Sequence, residues 1–288
     1  MKKIAIIGAG LIGSSILRAL KNKNKSLELV VIEKNLEHLK KSKELELAST
    51  FKENIDNDIE DCDVIFICTP LSSYEEIFLN LDKLELKNSI ITDVGSAKTK
   101  VIKIAEKNLN QKVFIPGHPI AGTEKSGPQS GFKELFENRW FISTPCKLSN
   151  DISLEKINNI WKSFGSNIQI MDAKDHDSIM AITSHIPHLI AYNIVGTASE
   201  LEENLKSEVI KFSASGFRDF TRIASSDPTM WRDILLDNQE EILSLLSKFN
   251  QDLKELEDAI KNKDGKFLFE KFKKTKMIRE KIIESGQD

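Results

Sequence analysis

His118 lies in the run Phe114-Ile115-Pro116-Gly117-His118-Pro119, directly after a short apolar stretch. Proline locks its own φ and restricts the residue before it, so the backbone carrying this imidazole is rigid. An imidazole titrates near neutrality and can accept or release a proton at cellular pH. The chemistry on offer is general acid-base catalysis, provided that other groups converge on the same place. One is Ser96, in Asp93-Val94-Gly95-Ser96-Ala97-Lys98; two more are His185 and His188, on either side of Pro187. Arg222, with Arg218 and Asp219 in the preceding helical turn, can meet a carboxylate through two parallel hydrogen bonds.

A second set of residues binds rather than reacts. Gly8-Ala9-Gly10-Leu11-Ile12-Gly13 fits G-x-G-x-x-G, follows an apolar strand pattern and opens a helical one. The first two glycines permit the turn and the close approach of a pyrophosphate to a helix N-terminus; the third lets helix and strand pack. Glu33 ends the second strand pattern. Its carboxylate can accept hydrogen bonds from the adenine ribose and repels a 2'-phosphate, which favours NAD. Lys34 beside it could meet that phosphate, so NADP stays open as an alternative. Thr69-Pro70 and Gly95 are expected at the carboxyl edge of the sheet, where open α/β folds bind ligands.

The elements that must position these groups read as βαβ: strands over 3–7 and 27–33 flank a helix over 11–21. Apolar runs at 64–68, 89–93 and 113–115 continue a parallel sheet covered on both faces, and 140–143 and 167–171 read as late strands. Beyond about residue 172 the pattern is helical. One long helix is expected from Asp227-Pro228, with Trp231, Leu235, Ile242, Leu245, Phe249, Leu253, Leu256 and Ile260 on its apolar face. The fold class is therefore α/β: a Rossmann-type, mostly parallel sheet domain over 1–172, then an all-helical domain over 173–288.

The 288 residues carry 41 Lys and Arg against 44 Asp and Glu, so the net charge of −3 leaves no electrostatic footprint for nucleic acid. Cys62, Cys68 and Cys146 form neither a disulfide framework nor metal-ligand spacing, which suits a reducing cytoplasm. No metal is expected. The N-terminal apolar run is broken by glycines and lacks a cleavage site, and no segment is apolar enough to span a bilayer.

Four blocks resemble the prephenate and arogenate (cyclohexadienyl) dehydrogenase family. They are GAGLIGSS from Gly8, DVGSAKTKV from Asp93, GHPIAGTEKSG from Gly117, and SHIPHLIAY from Ser184 with GFRDFTRIASSDPTMWRDI from Gly216. The resemblance implies NAD-dependent oxidative decarboxylation of prephenate or arogenate in tyrosine biosynthesis, by a homodimer formed through the helical domain. It makes His118 the catalytic histidine on the substrate's ring hydroxyl, with Ser96 near that hydroxyl and the nicotinamide. It puts Ser184, His185 and His188 in the substrate-contacting helix and makes Arg222 the carboxylate clamp. Thr123 and Glu124 match the pocket rim, where Glu124 and Asp219 form an ionic gate around Arg222. His176 is assigned to a helix terminus. Two alternatives compete: a β-hydroxyacid-type dehydrogenase of similar architecture, and a dinucleotide-sensing protein without activity. The first relies on a lysine in a glycine-rich helical segment that is not found here; the second leaves Ser96, His118, His188 and Arg222 together unexplained.

Overall fold

A computed structural model describes residues 1–200, 211 and 215–284. Six short runs, five of them rich in Ile and Val, form a parallel sheet. They are β1 (Lys3–Ile7), β2 (Glu28–Ile32), β3 (Thr50–Lys52), β4 (Val64–Ile67), β5 (Ile90–Asp93) and β6 (Val113–Ile115), in the order β3-β2-β1-β4-β5-β6. Because neighbouring side chains on a strand point to opposite faces, each run feeds two apolar layers. Ile4, Ile6, Val31, Val64 and Phe66 pack on one side with Leu17, Phe141 and Trp161. Ala5, Ile7, Ile65, Ile67 and Ile91 pack on the other with Phe78, Leu81, Val101 and Trp231. Helices α1 (Leu11–Lys23), α2 (Leu36–Glu44), α3 (Tyr74–Asp82) and α4 (Thr99–Asn108) connect the strands. The strand order reverses between β1 and β4, the place where such sheets open a crevice at their carboxyl ends.

The late strands do not extend this sheet. β7 (Gly117–Pro119), β8 (Trp140–Ser143) and β9 (Asn167–Ile170) form a separate one, with β7 antiparallel and β9 parallel to β8. Neither β7 nor β3 has a sequence signal, since each is only three residues long and β7 contains a glycine and a proline. His118 thus sits in a strand and pairs with Ile142. Helix α5 (Asp151–Ser163) carries Trp161, whose ring stacks on Phe141 at 4.3 Å.

The chain forms two compact units, Met1–Gln239 and Glu240–Asp288. Within the first, strands give way to α6 (Ala173–Met180), a π-helical turn (Ala181–His185), α7 (Ile186–Ser199), α8 (Ser215–Thr221), a 3-10 turn (Arg222–Ser225) and α9 (Pro228–Asp237). The single long helix expected from Asp227 is two, because Asn238 leaves helical geometry between α9 and α10 (Gln239–Lys261). Its buried amide is drawn to the Asp177 carbonyl at 2.8 Å and to His185 Nδ1 at 3.1 Å. In the second unit α11 (Gly265–Glu284) is tied to α10 by Lys271 and Glu255, 2.9 Å apart. Phe269, Phe272, Met277 and Ile278 of α11 are all more than half exposed.

Candidate active site

The glycine loop is built by steric necessity. Gly8 has φ +96, and a Cβ there would lie 2.7 Å from the Cys68 carbonyl oxygen. A Cβ on Gly13 would lie 2.0 Å from the Gly8 oxygen, so only glycine lets α1 approach β1. At Gly10 a Cβ would meet open space. Gly10 is the N-cap of α1, whose first turn, with Leu11 and Ile12, has no acidic side chain and no side-chain cap. Free amides, a positive helix end and room above them fit a pyrophosphate. Glu33 follows β2, and its carboxylate accepts from the Ala9 amide at 2.8 Å and the Asn35 amide at 2.8 Å. Lys34 turns its ammonium to Glu76, 2.5 Å away. Thr69 and Pro70 follow β4 against the glycine loop, the Thr69 hydroxyl accepting from Ser73 at 2.7 Å. The residues present therefore fit a dinucleotide.

Beyond β5 the polypeptide turns on a buried charge pair. Lys98 Nζ donates to Asp93 Oδ2 at 2.5 Å and to the Gly117 carbonyl at 2.8 Å. Asp93 also accepts from the amides of Gly95 (2.9 Å) and Gly117 (3.0 Å) and from Tyr74 Oη (3.2 Å). Burial pushes the Lys98 ammonium down and the Tyr74 phenol well up. This network fastens the loop bearing half-buried Ser96 to the strand bearing His118.

The His118 imidazole is partly exposed, and its Nδ1 lies 2.9 Å from His176 Nε2. His176 is fully buried, and its own Nδ1 lies 2.9 Å from Asp177 Oδ1. Loss of water, then neighbouring His176, Lys98 and His185, hold His118 well below the usual histidine range. It is therefore neutral at pH 7. The helix terminus to which His176 was assigned is capped instead by Asp172, whose side chain accepts from the Lys174 amide. The sequence signal for the buried role was the four-residue spacing to Met180, which is on the buried face of the same helix.

His185 is the last residue of the π-helical turn and His188 lies in the first turn of α7, and their surroundings differ. His185 is buried, and burial lowers its pKa to about 4. His188 is half-buried; its Nδ1 meets the Ser184 carbonyl at 2.8 Å and its ring stacks on Trp231 at 3.7 Å. Burial and then the Arg222 charge lower the His188 pKa, Ser184 opposing them. Arg222 is exposed, and its guanidinium lies 3.5 Å from Glu124 in the loop after β7, where Thr123 is also exposed. Among the described residues no ion pair joins Asp219 to Arg222, so only the Glu124 half of the expected gate is formed.

Residues 16–170 match the family described as prephenate dehydrogenase, nucleotide-binding domain, and residues 172–274 its dimerization domain. The chain belongs to the prephenate dehydrogenase family. It is 37% identical to a cyclohexadienyl dehydrogenase of Zymomonas mobilis over 96% of this chain and 95% of that one. It is 33% identical to a prephenate dehydrogenase of Bacillus subtilis, over 96% of this chain and 75% of that protein. The structure is similar to a prephenate dehydrogenase of A. aeolicus in complex with hydroxyphenyl propionate and NAD+. The TM-score is 0.90 at 31% identity, with 98% of both chains covered. Against this family, the histidine chain behind His118 is the feature that reading single motifs missed: His176 lies in none of the four sequence blocks.

Proposed function

We propose that this protein oxidises prephenate, arogenate or both with NAD and releases carbon dioxide, giving 4-hydroxyphenylpyruvate or tyrosine in tyrosine biosynthesis. The observation that carries the reading is a neutral histidine, His118, on the strand β7 that Asp93 and Lys98 fasten to the carboxyl end of β5 in the dinucleotide-binding sheet. Bound NAD supplies the hydride acceptor. His118 Nε2 accepts the proton of the ring hydroxyl as the hydride departs, so that the hydroxyl carbon becomes a ketone. The ring carboxylate then leaves as carbon dioxide, its electrons flow toward that ketone, and the ring becomes aromatic. Ser96 orients the hydroxyl, Arg222 clamps a carboxylate, and Ser184, His188 and the rim residues Thr123 and Glu124 complete the pocket. His185, buried against Asn238 and beside the Trp231 ring on which His188 stacks, serves packing rather than touching substrate.

Glu33 favours NAD over NADP, and the engagement of Lys34 by Glu76 supports the same preference. Residues 1–172 serve the nucleotide and 173–288 serve substrate and dimer formation. Exposed apolar side chains on α11 support a homodimer, as in a helical face awaiting a second copy. No helix among the described residues is long and apolar enough to cross a membrane, and we assign the enzyme to the cytoplasm. The test is formation of NADH by purified protein given prephenate or arogenate, each with NAD and with NADP; no turnover of either acid would falsify the assignment.

A further inference from the structure

We propose that Asp177 and His176 are positioning residues that fix the tautomer of His118, leaving its Nε2 bare to act as the base. The inference rests on the reading of His118 as the proton acceptor. It begins at the far end of the chain of contacts. Asp177 Oδ1 accepts from the Lys98 amide and Oδ2 from the Thr99 amide, each at 2.8 Å, at the start of α4. Burial alone would raise this carboxyl, but hydrogen bonds from His176, Thr99 and Lys98 outweigh it and hold Asp177 below its usual range. An ionised carboxylate only accepts, so the His176 nitrogen 2.9 Å from it, Nδ1, must carry a hydrogen.

His176 is itself neutral at pH 7, because burial, although opposed by Asp177, lowers its pKa. A neutral imidazole holds one hydrogen, so its Nε2 presents a lone pair. His118 Nδ1, 2.9 Å from that lone pair, has to donate. The one hydrogen of neutral His118 is thereby placed on Nδ1. Among the described residues no protein group bonds to His118 Nε2, which is left free. Each assignment follows from the one before it, and the sequence starts from two backbone amides that cannot change their protonation.

The arrangement also suits the step after proton uptake. When the hydroxyl proton reaches Nε2, His118 becomes a cation and its Nδ1–H becomes a stronger donor to His176. The proton need not travel further; the carboxylate stabilises the new charge through the intervening ring. The same logic holds a buried carboxylate behind a catalytic imidazole in hydrolases.

The test uses full-length enzyme labelled with ¹⁵N at histidine, together with His176→Ala, His176→Gln and His118→Asn variants. Two-bond ¹H–¹⁵N spectra should show His118 protonated at Nδ1 in the wild type. In His176→Ala the Nδ1 acceptor is gone, and His118 should become a mixture of tautomers, with kcat down at least about tenfold. NAD affinity and KM should stay within about twofold. His176→Gln, whose amide oxygen can replace Nε2 as acceptor, should restore the single tautomer and most of kcat. The inference is overturned if wild-type His118 is protonated at Nε2, or if His176→Ala leaves tautomer and kcat unchanged. It is overturned equally if His176→Ala loses NAD binding and melting temperature in step with kcat, which marks a packing role alone. Full activity in His118→Asn would sink the reading of His118 as base, a separate failure.

Discussion

Lys98 Nζ lies 2.5 Å from Asp93 Oδ2, and both side chains are completely buried. The pair joins the end of a central strand to the start of α4, and through the Gly117 amide and carbonyl it also grips β7. Removing one partner of such a pair leaves the other charge buried and uncompensated. Lys98→Met should therefore cost about 3–5 kcal/mol of stability. Chemical denaturation of the variant against wild type measures it, and a loss below about 1 kcal/mol would show that the pair adds little to stability.

The base itself is tested by His118→Asn. General base assistance contributes about 10²- to 10⁴-fold, so kcat should fall within that range. The asparagine removes the basic nitrogen while NAD affinity, measured by fluorescence titration, should remain as in wild type. A variant that weakens NAD binding as much as it slows turnover would contradict the assignment.

Arg222 is exposed, and among the described residues its guanidinium pairs with Glu124 at 3.5 Å; the proposed function makes its fork the clamp for a substrate carboxylate. Lysine cannot reproduce the two parallel hydrogen bonds. Arg222→Lys should raise KM roughly 10- to 100-fold, equivalent to about 1.5–3 kcal/mol for charge-assisted hydrogen bonds, with a smaller change in kcat. Steady-state kinetics with the preferred acid decides it; an unchanged KM places the clamp elsewhere.

The glycine loop gives a steric prediction. In Gly13→Ala the new methyl would sit 2.0 Å from the Gly8 oxygen, so α1 must move away from β1. Affinity for NAD should drop at least about tenfold, because the amides that face the pyrophosphate move with the helix. Isothermal titration with NAD is the measurement, and wild-type affinity would mean that the loop relaxes without cost.

Mild acid should destabilise the protein through its buried histidines. The folded pKa of His185 is about 4, against about 6.5 for an unfolded histidine. Between those values the unfolded chain binds a proton that the folded chain does not, so stability falls as pH falls. From pH 7 to pH 5 this residue alone accounts for about 2 kcal/mol, and the lowered values of His118 and His176 act in the same direction. Urea unfolding at the two pH values, repeated on His185→Gln, should show a shallower loss in the variant.

Much of this was legible in the residue pattern. Unbroken apolar runs marked five strands of the six-stranded sheet to within a residue at each end, all but β3, and the glycine spacing placed the turn between β1 and α1. What escaped depended on contacts between distant segments. β7 is a strand only because β8 pairs with it, and its Gly-His-Pro composition argues for a loop. The break at Asn238 is invisible in the apolar spacing, which runs on across it, and arises from hydrogen bonds to Asp177 and His185. The partnership of His118 with His176 spans 58 residues of sequence, so neither residue's neighbours announce it.

The π-helical turn from Ala181 to His185 makes part of this site a matter of chain length. Such a turn holds one residue more than an α-helix would, and each residue advances a helix by about 100°. His176 precedes the extra residue, and His188 follows it. Deleting a single residue there would return the helix to ordinary phase and swing His188, with its stack on Trp231, roughly a quarter turn relative to His176. A relative lacking that residue could keep every histidine and still be unable to bring them to bear on one substrate.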